Sequence, residues 1–263
     1  MTTKVAFLYI SCAAILVWPS FAVGQRARTS TQVFNYVDFS DVSNLTLNGS
    51  AQQGPGLGGI TALWLTPPTY LTAGSAWYNN PVNVEQGFVT EFRFAVRGSA
   101  DGFAFVIQNI GLAALGGDGG DMGYAKLANS LAVEFDTWWN PEFDPNNNHI
   151  AVQSCGTASN TADHRMGCTL GIQTDLPMRI ADGRRHWVVI TYDPSGGGAT
   201  GLLTIAVDKK TVLTSMLNLG TLLNLTGGDA WVGFSGGTGG ATETSEILSW
   251  SFSSVAPSEQ DRR

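Results

Sequence analysis

The residues best suited to chemistry crowd into one stretch, Leu131-Ala132-Val133-Glu134-Phe135-Asp136-Thr137-Trp138-Trp139-Asn140-Pro141-Glu142-Phe143-Asp144-Pro145-Asn146-Asn147-Asn148-His149. In an extended chain, residues two apart point the same way. Glu134 and Asp136 would then stand side by side, roughly 6.5–7 Å apart, with Val133, Phe135 and Thr137 on the opposite face. Two carboxylates in an apolar strand repel each other and resist burial. Something positive must offset them, and the neighbouring sequence supplies no Lys or Arg. It supplies more ligand atoms instead: Asn140, Asp144 and then His149. Hard oxygen donors on a loop suit calcium. Carboxylates joined by one imidazole suit a transition ion such as manganese. Asp136 and Asp144 could bridge the two ions. The same residues also read as ordinary turn chemistry, with Glu134 and Asp136 facing solvent. Composition alone leaves both readings open.

The surrounding chain must hold such a loop rigidly, and its composition says how. Of 263 residues, 43% are hydrophobic and only 13% charged, with 32 glycines. That balance gives ample core and favours strands and turns over helices. No window carries a long capped amphipathic helix. Short apolar runs separated by Gly, Asn, Pro and Ser predict strands at 34–39, 62–65, 88–96, 102–108, 130–136, 149–153, 185–192, 202–207, 230–235 and 246–253. Within 88–94 the alternation puts Phe88, Thr90, Phe92 and Phe94 on one face. Many strands at short spacing without helices between them predict an all-β antiparallel sandwich. No repeat or linker divides the chain, so one domain is expected over 33–255.

The ends read differently. Residues 1–24 begin with Lys4, continue uncharged, and finish with Ala22-Val23-Gly24, the pattern of a cleaved secretory signal peptide; an uncleaved membrane anchor is the alternative. Residues 25–32 read as a disordered segment and 256–263 as a flexible tail. A secreted or extracellular protein (periplasmic, in a bacterium) is therefore expected, with no membrane attachment after cleavage. In an oxidising compartment Cys155 and Cys168 are expected to pair, which would stabilise by about 3 kcal/mol in the chain-entropy description. Two free thiols are the alternative. The net charge of −7 repels phosphate backbones and excludes nucleic acid as a natural partner, while neutral ligands such as sugars remain open.

The ordered set of motifs resembles the legume-type (L-type) lectins. Val133-Glu134-Phe135-Asp136-Thr137-Trp138-Trp139-Asn140, Asp144-Pro145 and His149-Ile150 match that family's V-E-F-D-T, aromatic, x-N, D-P and H-I pattern. Gly74-Ser75-Ala76-Trp77-Tyr78, Ala100-Asp101-Gly102-Phe103-Ala104-Phe105, Gly119-Gly120-Asp121-Met122-Gly123, Trp231-Val232-Gly233-Phe234-Ser235 and Leu248-Ser249-Trp250-Ser251-Phe252 follow in family order. The resemblance implies a concanavalin-type jelly roll and a carbohydrate-binding protein rather than an enzyme. It implies that Glu134, Asp136, Asp144 and His149 hold a transition ion (Mn²⁺ or another). It implies that Asp136, Asn140, Asp144 and the Trp138 carbonyl hold Ca²⁺. Asp101, Gly120 and Asn140 would bind sugar, after a cis peptide at Ala100-Asp101. Physical chemistry agrees with these roles. An ionised Asp accepts strong hydrogen bonds from hydroxyls, a glycine lets a backbone N–H approach, and an Asn amide can donate to sugar while its carbonyl faces an ion. Trp138 is the candidate aromatic platform, with a core position and Trp139 as alternatives.

The match is poorer elsewhere. The short Gly-rich loop 236–245 leaves sugar specificity unread, with Gly240 and Ala241 as expected contacts. The Cys155–Cys168 insert departs from the usual plant pattern and looks more like microbial or other non-plant relatives. His164, inside it, reads as a surface residue, with contact to the ligand as the alternative, and His186 as structural. A homodimer through sheet edges is compatible with the resemblance. Two rival functions stay open. A glycoside hydrolase would use Glu134 with a second carboxylate, but Trp138, Trp139 and Asn140 occupy the places where the second acid would stand. A structural or adhesive module would keep the fold and lose the sugar.

Overall fold

A computed structural model describes residues 30–197 and 200–255. The strands are β1 (Ser30–Tyr36), β2 (Leu45–Gly49), β3 (Gln52–Pro55), β4 (Thr61–Thr66), β5 (Thr72–Tyr78), β6 (Val82–Asn83), β7 (Phe88–Gly98), β8 (Gly102–Gln108), β9 (Ser130–Asp136), β10 (His149–Gln153), β11 (Thr169–Gln173), β12 (His186–Gly197), β13 (Thr200–Val207), β14 (Lys210–Leu217), β15 (Asp229–Thr238) and β16 (Glu243–Val255). They form two antiparallel eight-stranded sheets. The back sheet runs β14-β13-β12-β7-β16-β4-β3, with β1 on β16. The front sheet runs β11-β10-β9-β8-β15-β5-β2, with β6 on β15. The all-β antiparallel sandwich expected from the strand spacing, and the jelly roll that the resemblance implies, are what the chain adopts.

The alternation read in β7 is realised: Phe88, Thr90, Phe92 and Phe94 are buried while Glu91 and Arg93 are exposed. Phe92 meets Phe103, Phe105, Phe135 and Phe234 of the front sheet at 5.0–6.4 Å between ring centroids. Such rings dominate the apolar burial that fastens one sheet to the other. In the front sheet β8, β9 and β10 are buried on both faces. Their inner face joins the main core. Their outer face lies beneath loops, where Trp77, Ala104, Met122, Tyr124, Leu127 and Ala132 pack into a second cluster. That cover removes Glu134 and Asp136 from water, so they do not face solvent.

Some boundaries move. Ser30-Thr31-Gln32, expected as part of a disordered segment, pair with Val255, Ser254 and Ser253. The domain therefore begins earlier than residue 33, because β16 is long enough to hold them. The expected signal segment 1–24, residues 25–29 and the tail 256–263 lie outside the described residues. Among the described residues, no helix is long and apolar enough to cross a membrane. Cys155 and Cys168 form the expected disulfide.

Candidate functional site

Register places the acids. Asp136 of β9 lies between Gly102 of β8 and His149 of β10, and Glu134 lies between Ala104 and Ala151. The neighbours at 102, 104 and 151 are small, Met122 closes over Gly102, and His149 fills the fourth flank. After β9 the chain turns through Asn140–Asp144. Trp138 N–H donates to Asp136 Oδ1 (2.9 Å) and Asn140 N–H to Asp144 Oδ2 (2.8 Å). Phe143 N–H and Asp144 N–H both return to Asn140 O (2.9 and 2.8 Å). Asp144 is thereby folded back onto Asp136.

Two ligand groups result, sharing His149: Asp136, Asp144 and His149, and Glu134, His149 and His164, each with donor atoms within 4.8 Å of one another. His149 Nε2 is 3.5 Å from Glu134 Oε1, and His149 Nδ1 is 3.9 Å from Asp136 Oδ1. The Tyr124 hydroxyl donates to Glu134 Oε2 from the covering loop. The predicted surface position of His164 is corrected here. Its side chain is 11% exposed, with Nε2 3.1 Å from Glu134 Oε1 and 3.0 Å from His149 Nε2.

The electrostatics are unbalanced without a cation. Burial, followed by the charges of Asp144 and Glu134, holds Asp136 well above the usual carboxylate range. Burial raises Asp144 to about 6, although Asn140 N–H and the His149 imidazole pull against it. Burial also raises Asp101 to about 6, against the Gly239 N–H. Glu134 goes the other way. Burial would raise it, but the two imidazoles bring it down to about 2. Among the described residues, the ion pairs made by Arg97, Lys126 and Arg165 go to other carboxylates. Glu134 Oε1, Asn140 Oδ1 and Asp101 Oδ2 are buried without a hydrogen bond. Orphaned oxygens beside repelling carboxylates are what a bound cation would satisfy, so these residues fit the metal pair that the fold family implies.

The residues expected to bind sugar assemble around the same loop. Asp101 follows the cis Ala100-Asp101 peptide. Its N–H donates to Gly237 O (3.1 Å), and its carbonyl accepts from Thr137 N–H (3.1 Å), which ties it to the end of β9 and the loop that follows. Gly120 lies in the 3-10 turn Gly119–Asp121. A Cβ at Gly120 would stand 3.0 Å from Asn140 Oδ1 and 3.4 Å from the Phe143 ring. One at Gly239 would stand 3.0 Å from Asp101 Oδ2 and 3.2 Å from Gly119 Cα. Asp101, Gly120, Asn140 and Gly239 therefore converge. Gly240, exposed, and Ala241, half-buried, follow Gly239 directly. Trp138 and Trp139 are 40% and 54% exposed, so neither is a core tryptophan. A separate groove of about 300 Å³ on the back sheet, lined by Glu91, Arg93, Trp187 and Trp250 among others, shares no residue with this cluster.

Three contributors escaped the sequence reading, Tyr124, Gly239 and Glu243, and a fourth, His164, was read there first as a surface residue. Glu243 is fully buried and accepts from Thr137 Oγ1 (2.7 Å) and Ser245 Oγ (2.8 Å), bracing the strand end where the loop 137–148 begins. His186 is structural as expected, set between Asp182 (3.0 Å) and Asp208 (2.8 Å).

A two-sheet jelly roll with side-chain groups that could hold a cation, and a cluster of glycines, Asp and Asn beside them, defines a lectin-like class. The comparisons with known proteins make this specific. The family model for the legume lectin β-barrel domain matches residues 37–249, and the chain belongs to that family. A lectin of Lens culinaris subsp. tomentosus is 28% identical over 279 residues, covering 97% of this chain and 94% of its own. The probable L-type lectin-domain containing receptor kinase S.7 of Arabidopsis thaliana is 30% identical over 247 residues, covering 83% of this chain. The chain spans only 34% of that kinase and 38% of a second one, about a third of their length. Among solved structures, a Bauhinia forficata lectin in complex with GalNAc superposes with a TM-score of 0.68 at 27% identity, covering 88% of this chain and 100% of that one.

Proposed function

We propose that this protein is a secreted, non-enzymatic lectin whose sugar-binding loop is ordered by two ions. Asp136, Asn140, Asp144 and the Trp138 carbonyl would hold Ca²⁺. Glu134, Asp136, Asp144 and His149 would hold Mn²⁺ or another transition ion. The ions supply fixed positive charge that offsets the buried carboxylates. Asp101 would then be ionised and accept from two neighbouring sugar hydroxyls. Asn140 would turn its carbonyl to calcium and donate its amide N–H to the sugar. Gly120 would offer a backbone N–H at close range. Trp138, or Trp139 beside it, would lay an apolar ring against the C–H face of a pyranose. Gly240 and Ala241 would border the site.

The observation that carries this reading is the buried, unpaired Oδ1 of Asn140 next to Gly120. A simple turn asparagine would find a hydrogen bond. The rival hydrolase reading needs Glu134 to reach a glycosidic oxygen, yet its side chain is 0% exposed beneath Tyr124 and the two imidazoles. Several solved relatives carry sugars, among them the basic winged bean lectin with Tn-antigen, 26% identical with a TM-score of 0.65. A glycan array with purified protein, in Ca²⁺ and Mn²⁺ and again after chelation, tests the proposal. Binding that disappears on chelation is expected. Binding that survives chelation would sink the ion-ordered site, and silence in both conditions would favour a structural or adhesive module.

A further inference from the structure

We propose that His164 is itself a metal ligand, so that this chain holds its transition ion with two imidazoles, and that the disulfide-closed loop 155–168 exists to deliver the second one. The inference deepens the ion-ordered reading above.

The geometry is that of a site rather than of a chance contact. Three donor atoms point at one another: His149 Nε2, His164 Nε2 and Glu134 Oε1, with separations of 3.0, 3.1 and 3.5 Å. Asp144 Oδ1 approaches His164 Nε2 from the side at 3.9 Å. Glu134 Oε1 is buried and has no hydrogen bond, although its partner oxygen is held by Tyr124. It is a buried carboxylate oxygen aimed at the point where the two imidazoles meet.

The far side of the His149 ring is prepared for ligation, and that of His164 becomes so by one amide rotation. His149 Nδ1 donates to the Asn146 carbonyl (3.0 Å), which leaves Nε2 with its lone pair. His164 Nδ1 faces Thr169 Oγ1 (3.2 Å) and the Gln153 side-chain amide (2.9 Å). Gln153 Oε1 is itself buried without a partner. An end-for-end rotation of that amide brings the oxygen to His164 Nδ1, which then donates to it and frees Nε2 for the ion. Such outer hydrogen bonds fix the tautomer and the ring plane of metal-bound histidines.

The loop holds His164 in place at both ends. Cys155 and Cys168 are bonded, and Ser154 N–H donates to Cys168 O (2.9 Å). Asn160 is buried, its N–H donates to Leu127 O (2.9 Å), and its amide reaches Gln153 O (3.1 Å) and Ser130 O (3.3 Å). His164 opens a 3-10 turn whose preceding Asp163 accepts from Arg165 N–H. A ligand on so tethered a loop loses little freedom on binding the ion.

Exchanging an oxygen donor for a second imidazole favours later first-row ions such as Co²⁺ or Zn²⁺. The test uses the full chain, stripped of metal and reloaded with Zn²⁺. X-ray absorption counts the imidazoles bound to zinc, and calorimetry gives the affinity. Two imidazoles are expected in the wild type and one in His164→Gln, with Zn²⁺ affinity lowered by at least the roughly tenfold that loss of a mere outer-shell partner costs. One imidazole in the wild type would overturn the proposal without any reliance on the variant. So would unchanged affinity in His164→Gln, or failure to bind zinc at all. The glycan array reads separately. Sugar binding with a single imidazole leaves the lectin reading intact and removes this one. Two imidazoles without sugar binding do the reverse.

Discussion

At the scale of single residues, Gly120 and Glu243 carry the sharpest expectations. The backbone of Gly120 tolerates alanine, but the added Cβ meets Asn140 Oδ1 at 3.0 Å and the Phe143 ring at 3.4 Å. Gly120→Ala should leave stability within about 0.5 kcal/mol, since it touches the surface loop only. It should weaken glycan binding at least about tenfold, close to 1.4 kcal/mol. Parallel urea melts and glycan titrations check this, and equal losses in both would mean a folding defect instead. Burial raises Glu243 to about 7, above the ordinary 4.5, despite its hydroxyl partners Thr137 and Ser245. The folded chain thus keeps this proton longer than the unfolded chain. Below pH 4.5 both hold it and nothing is lost. Between pH 4.5 and 7 stability falls, and above 7 the loss is complete, on the order of 3 kcal/mol. The stability of wild type relative to Glu243→Gln, from urea melts at fixed metal content, should drop by that amount from pH 4 to pH 8. A difference that stays flat would mean that Glu243 is ionised throughout.

At the scale of elements, legibility followed the surroundings of each strand. β8, β9 and β10 were read to the residue, because apolar runs bounded by turns describe strands covered on both faces. β3, with the sequence Gln52-Gln53-Gly54-Pro55, and β11, half-exposed at the sheet edge, were missed because they share no apolar rhythm with a core. The pairing of Glu134 with Asp136 was visible from period-two spacing. His164 was not, because no local pattern reports that a loop folds over the outer face of a sheet. Only the cysteines flanking it hinted at a held conformation. That loop makes its own prediction. Replacing Cys155 and Cys168 by serine opens a short loop and should cost about 3 kcal/mol. Urea denaturation with metal removed would measure it. A loss well under 1 kcal/mol would assign the loop's order to Asn160 and its hydrogen bonds.

At the scale of the molecule, the sandwich was legible from composition and strand spacing, and the family from motifs in order. The covered outer face of the front sheet has a kinetic consequence. An ion at Glu134, His149 and His164 would sit below Tyr124, with ligand side chains 0–11% exposed. It would leave only when the loops lift, so its escape is a local opening reaction. The rate of metal loss should then rise with chelator concentration at first and level off at the opening rate. Stopped-flow release into increasing chelator would show that plateau, and a rate that climbs without limit would mean that chelator reaches the ion directly. A chain built this way would stay loaded through brief spells of metal scarcity, its occupancy set by a clock as much as by an affinity.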